Sequence, residues 1–171
     1  LIPRPTRFTA QDADRAYDEW GMNCGPGAVA AVLGLTLEEV RPHMRDFEKK
    51  HYTNPDMMKS VLTDLGVSWL NSKPVDGHSL ASYGLVRIQW EGPWTASGAH
   101  WTARQRHTHW IGSYIRQDND IGVFDINCIG NGSGWASFKD WTEIVIPHIL
   151  STCEPEADGN WHSTHILEIM P

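Results

Sequence analysis

Cys24 stands in the run Gly21-Met22-Asn23-Cys24-Gly25-Pro26-Gly27, which forms turns readily and opens directly into Ala28-Val29-Ala30-Ala31-Val32-Leu33. Gly34 closes that small, apolar segment, which reads as a central helix buried on every side. A thiol at the start of such a helix sits in the positive field of the helix dipole, near backbone N–H groups that lack a helical partner. Both favour thiolate, the nucleophilic form. Gly25 and Gly27 are expected to let a substrate backbone approach, and Pro26 to start the helix without needing a donor.

A thiolate nucleophile needs a base, and His107-Thr108-His109-Trp110-Ile111-Gly112 offers one at the head of a strand pattern. Sixteen residues beyond His109 comes Phe124-Asp125-Ile126-Asn127, with the turn-forming Arg116-Gln117-Asp118-Asn119-Asp120 between them. A hairpin with its loop at 117–119 sets position 111 opposite 125 and position 109 opposite 127. His109, Asp125 and Asn127 then share one face. A carboxylate there holds the imidazole in one tautomer and stabilises its cation after proton transfer. His107 is on the same face by alternation and competes with His109; Asn127 competes with Asp125 as the orienting group. His100, in a glycine-rich loop, is a residue for the substrate side.

The elements around these residues divide in two. Before residue 67 the patterns are helical. Residues 1–16 read as an N-terminal arm, with Pro3 and Pro5 in it, leading at most to a short helix. Thr36 to Glu39 forms a capping box for a helix carrying Val40, Met44 and Phe47 on one face. Thr53-Asn54-Pro55-Asp56 starts a third, with Met57, Met58, Val61, Leu62 and Leu65 at helical spacing and Gly66 as its stop. After residue 67 the patterns are strands: 67–70, 85–90, 108–115, 121–126 and 163–170. Helices first and strands second predict an α+β layout in a single domain over 1–171, with the N-terminal helices packed on a C-terminal antiparallel sheet. The loops at 91–105 and 128–134 are long enough to serve function. Trp69, Trp110 and Trp141 are assigned to the core; Trp90, Trp94 and Trp101 are expected to wall a groove and Trp135 to shield the His–Asp pair, or all four to cap the core.

Composition removes several classes. With 14 Lys and Arg against 21 Asp and Glu, the net charge of −7 argues against nucleic acid, which needs a basic face. No apolar run approaches the ~18 residues of a membrane span. No secretory signal pattern opens the sequence, and its first residue is Leu1, as in a processed or trimmed product. Three cysteines, Cys24, Cys128 and Cys153, exclude a fully paired disulfide scaffold; one Cys128–Cys153 bridge, or three reduced thiols in the cytoplasm, both fit. His162, His165, Cys128 and Cys153 are weighed as zinc ligands and set aside. No Cys-x2-Cys pair exists, and residues 162 and 165 of one strand point to opposite faces. Neither metal nor cofactor is expected.

Asn23-Cys24-Gly25-Pro26-Gly27-Ala28 resembles the nucleophile motif of papain-like cysteine peptidases of the bacteriocin-leader-processing (C39-like) type. The later His109-Trp110 and the Asp of Val123-Phe124-Asp125 resemble the base and the orienting acid of that group. The Gly134-Trp135 and Phe138–Trp141 stretch resembles the segment after its Asp strand. The resemblance covers roughly residues 17–141. It implies a papain-like fold, a Cys24–His109–Asp125 triad and acyl transfer from a peptide or protein substrate through a thioester. It also implies a Gln six residues before the nucleophile to donate to the oxyanion. Asp18 stands there instead, and an ionised carboxylate cannot donate. The Cys24 N–H remains as a donor, with Trp20 or Asn23 as a second. A papain-like domain that binds peptide without turning it over, and an acyltransferase using the same triad, are the competing expectations.

Overall fold

The computed structural model describes residues 6–45 and 47–170. Helix α1 (Ala10–Trp20) starts where Thr9 accepts from the Asp12 N–H while the Asp12 side chain reaches back to Thr9, and it ends at Gly21 with φ 69°. This corrects the arm expected over 1–16; Pro3 and Pro5 lie outside the described residues. The polar stretch becomes helical because Ala13, Ala16 and Trp20 recur on one face and are buried. Helix α2 (Cys24–Leu33) is buried along its whole length except at Cys24, and Gly34, at φ 66°, stops it.

The helix expected after Thr36 is broken. Its capping box is present, but α3 (Leu37–Val40) gives way to a 3-10 turn over Arg41–His43, and α4 (Phe47–Lys50) is separate. Pro42 has no N–H for a continuing α-helix, although Val40, Met44 and Phe47 still reach the core. Helix α5 (Pro55–Asp64) obeys its signals: the Asn54 side chain accepts from the Met57 N–H at 2.8 Å, and Met57, Met58, Val61 and Leu62 are buried.

The strands are β1 (Trp69–Ser72), β2 (Tyr83–Trp90), β3 (Thr108–Ile115), β4 (Ile121–Phe124), β5 (Trp135–Ser137) and β6 (Trp161–Ile169). They form one antiparallel sheet in the order β1-β6-β2-β3-β4-β5, so the chain is α+β. The hairpin of β3 and β4 has the expected register, with Gly112 opposite Phe124 and Ile115 opposite Ile121. Its loop is 117–119, closed by Arg116 and Asp120, with Asn119 at φ 60°. Strand β4 stops at Phe124, two residues short of expectation, because the Asp125 side chain accepts from the Asn127 N–H and starts a 3-10 turn over Ile126–Asn131.

Besides the single turn of helix at Trp101–Arg104, inside the expected loop 91–105, two elements have no counterpart in the sequence patterns. One is β5. The other is a helical run of α7 (Phe138–Asp140), a π turn over Trp141–Val145 and α8 (Ile146–Cys153). The Ser137 hydroxyl caps it by accepting from the Asp140 N–H at 3.0 Å. The sheet is therefore covered on both faces. Leu85, Trp110, Phe124 and Leu167 pack with α2, whereas Val86, Ile88, Ile111, Val123 and Ile166 pack with Trp141, Ile146 and Ile149. Helix α2 approaches β3 closely because Gly112 has no side chain: a Cβ there would lie 2.5 Å from Val32 Cγ2.

Candidate active site

The nucleophile candidate is fixed by the turn between α1 and α2. Gly21 reverses the chain, and the Asn23 amide donates to the Ala13 carbonyl at 3.2 Å, pinning the start of α2 to α1. No side chain caps α2, so its first N–H groups are left for another acceptor. Gly25 and Gly27 are not open to a substrate, contrary to expectation. Both are buried, and a Cβ on them would meet Thr53 Cγ2 at 2.5 Å and Ile126 Cδ1 at 2.9 Å. Their smallness lets the helix start pack under the Thr53 loop and the 126–131 turn.

His109, at the head of β3, is 8 % exposed, and its imidazole stacks beside Trp90 with 6.2 Å between ring centres. Its Nε2 lies 3.0 Å from Oδ1 of Asp125, which is fully buried. That leaves Nδ1 as the free ring nitrogen, and the ionisation of the Cys24 thiol is coupled to His109. The Trp110 backbone N–H also favours the thiolate. Asp125 is satisfied at both oxygens. Oδ1 accepts from the Asn127 N–H at 2.9 Å and amide at 2.8 Å, and Oδ2 accepts from the Trp141 indole at 2.9 Å. Asn127 thus serves Asp125 instead of replacing it.

The half-buried Cys24 and the buried His109 and Asp125 share the charge. Burial opposes ionisation of Cys24, but the His109 hydrogen bond and charge, with the Trp110 N–H, together hold the thiol below its ordinary value. Burial likewise disfavours imidazolium, yet the Asp125 carboxylate and the thiolate raise His109 well above the usual histidine range. Asp125 is lowered in turn, burial being outweighed by His109, Trp141 and Asn127. The arrangement favours thiolate, imidazolium and carboxylate in a row. Cys128 is the opposite case, pushed up to about 12 by burial and by Asp125. All three cysteines are free.

The rivals are placed elsewhere. His107 Nδ1 lies 2.7 Å from Glu154, and its ring stacks on Trp94 with centres 3.5 Å apart. His100 caps α6 (Trp101–Arg104) by accepting from the Thr102 N–H. Trp135 does not shield the His–Asp pair; it packs on Tyr114 and Phe124 and donates to Thr6. Trp141 and Trp90 take that position. The sequence assigns Trp141 to the core alone, because its contact with Asp125 is made through a helix that lacks a regular apolar period. Ser137-x-x-Asp140 before an apolar run is the available signal. Trp20 is buried against Phe47 and the Asn23 amide is engaged, so neither supplies an oxyanion donor.

The bulge in β6 brings His165 opposite Arg87 and His162 opposite Gln89, which places both on one side of the strand, not on opposite faces. They still part company: His162 goes to Glu91 at 2.9 Å and His165 to the Thr164 hydroxyl. Among the described residues no three His, Cys, Asp or Glu side chains converge to hold a metal. Nor is any helix among them long and apolar enough to cross a membrane.

Two clefts meet at Cys24. One, of about 440 Å³, is lined by Thr53, Asn54, Arg87, Arg106, Thr108 and Trp110 beside the thiol. The other, of about 320 Å³, runs past His109 between Tyr17, Asn127, Ile149 and Glu154. Asp18 lines neither; the neighbouring Tyr17 does. Together they form a trough with the thiol at its middle, which suits an extended chain crossing the sulfur. The chain matches no family model, no curated protein and no solved structure.

Proposed function

We propose that this protein is a papain-like cysteine hydrolase, a peptidase that cleaves an amide bond through Cys24, His109 and Asp125. The observation that carries the reading is the direction of the imidazole. With Nε2 committed to a buried carboxylate, Nδ1 is the nitrogen left for the thiol at the start of an uncapped helix, whose ionisation His109 favours. The layout of helix-borne thiol and strand-borne imidazole supports a papain-like arrangement.

The thiolate attacks the scissile carbonyl carbon, and the oxygen becomes an anion. The N–H of Cys24, at the uncapped start of α2, holds it; one such donor contributes about two to three powers of ten in rate. His109 gives its proton to the departing nitrogen as the C–N bond breaks, which leaves a thioester on Cys24. Water, deprotonated by His109, then hydrolyses the thioester; an amine in its place makes the site a transferase. Asp125 keeps the ring in one tautomer throughout, and Trp141 and Asn127 keep Asp125 ionised and in place.

The test is incubation with a defined peptide mixture, read by mass spectrometry. Cleavage by the wild type that disappears in Cys24→Ala is expected, along with an acyl adduct on Cys24 in rapid quench. Peptides left intact across neutral pH, with no adduct, would overturn the reading.

A further inference from the structure

Arg87 is an unusual residue for its position. It stands in β2 between Val86 and Ile88, both fully buried, and it lines the cleft beside Cys24. Its side-chain partners are two hydroxyls, Thr108 Oγ1 at 3.2 Å and Thr164 Oγ1 at 3.5 Å, and its buried Nε has none. No ion pair among the described residues engages it. The negative charge it does sense is the Cys24 thiolate. His165, opposite it in β6, is pushed down by burial and by Arg87's own charge, and so offers no compensation.

Taking a cation out of water without a counter-anion is costly, and a fold keeps such a group where a ligand completes it. The surroundings point the same way. Arg106 lines both clefts, again without an ion pair among the described residues, and no carboxylate lines the cleft of Arg87, whereas Glu154 lines the other. In a chain of net charge −7 that is a local reversal of sign. The guanidinium's planar fork is suited to gripping a carboxylate through two parallel hydrogen bonds.

The proton transfer decides which half of a substrate lies there. His109 must reach the leaving nitrogen, so the leaving half occupies the cleft that His109 lines. The acyl half then occupies the cleft of Arg87. We infer that Arg87 makes the site selective for peptides with an aspartate or glutamate side chain in the acyl half, within two residues of the bond cleaved. This rests on the peptidase reading above.

The two ideas separate if alkylation of Cys24 is monitored instead of hydrolysis. The probes are short peptidyl chloromethyl ketones that differ only by Glu, Gln or Lys at the two residues before the electrophile, with chloroacetamide as the reference. At low salt the Glu probe is expected to inactivate about tenfold faster than the Gln probe, as a charge-assisted hydrogen bond provides. The Lys probe is slowest, and added salt narrows the gap. In Arg87→Gln the Glu-to-Gln ratio falls to near one, and Arg87→Lys keeps part of it.

Equal Glu and Gln rates in the wild type, both well above chloroacetamide, overturn the inference and leave the peptidase reading standing. A Glu preference that survives in Arg87→Gln overturns the assignment to Arg87. If no peptidyl probe outpaces chloroacetamide at Cys24, both fall. Should Arg87→Gln fail to fold, a ratio unchanged in Arg87→Lys overturns the assignment as well.

Discussion

The indole N–H of Trp141 donates to Asp125 Oδ2 at 2.9 Å, on the far side of the carboxylate from His109. Trp141 starts the π turn between α7 and α8, and single π turns within helices recur at functional sites. Replacing it by Phe keeps most of the apolar surface but strands a buried carboxylate oxygen. Urea unfolding of Trp141→Phe should show a loss of about 1–3 kcal/mol, the range for an orphaned buried polar group. A loss of only a few tenths would mean that Trp141 is packing and nothing more.

Gly112 sets the distance between α2 and β3. In Gly112→Ala the new methyl meets Val32 Cγ2 at 2.5 Å and Phe124 Cβ at 3.3 Å, and Cys24 rides on the helix that must move. The variant should lose about 1–3 kcal/mol of stability from overpacking, and Cys24 should react more slowly with it. Adding Val32→Ala opens room for the methyl, so the double variant should recover part of both. Simple additivity of the two substitutions would contradict the contact.

His107 and His109 share a strand face by alternation, and only geometry tells them apart. His107 is occupied with Glu154 and Trp94. His107→Ala should therefore leave the reactivity of Cys24 toward chloroacetamide at neutral pH unchanged within about twofold, whereas His109→Ala should lower it by a power of ten or more. Equal losses in the two variants, measured as second-order rates on Cys24, would remove the distinction.

Local signals carry far in this chain. The turn at 117–119 fixes the register that puts Asp125 within reach of His109, since a hairpin's pairing is set by its loop length. Asn54 and Pro55 mark the start of α5, and the Cys-Gly-Pro run marks α2. The features that stay hidden depend on contacts between distant segments. Helix α1 looks like an arm because its buried face consists of two alanines and one Trp, with Asp12 beside them. The run from Phe138 to Cys153 contains Pro147 and a π turn, so it lacks a regular helical period. Arg87 is lost inside an apolar strand, although a charge in such a place is itself the signal. Nothing near Gly25 in the chain announces Thr53, which fills its space.

The central claim is that Cys24 is a thiolate sustained by His109, and its ionisation can be read directly. Because the thiol's pKa is lowered in the folded protein, the thiolate is present above that lowered value and is lost only as pH falls through it. The raised pKa of His109 keeps the imidazolium until pH rises past it. The measurement is the rate of Cys24 alkylation by chloroacetamide from acid to alkaline pH, in the wild type and in His109→Ala. The account predicts a wild-type midpoint below the ~8.5 of free cysteine, moving to that value or above in the variant, where burial acts unopposed by His109. A wild-type midpoint near that of free cysteine, unmoved by the substitution, would contradict it.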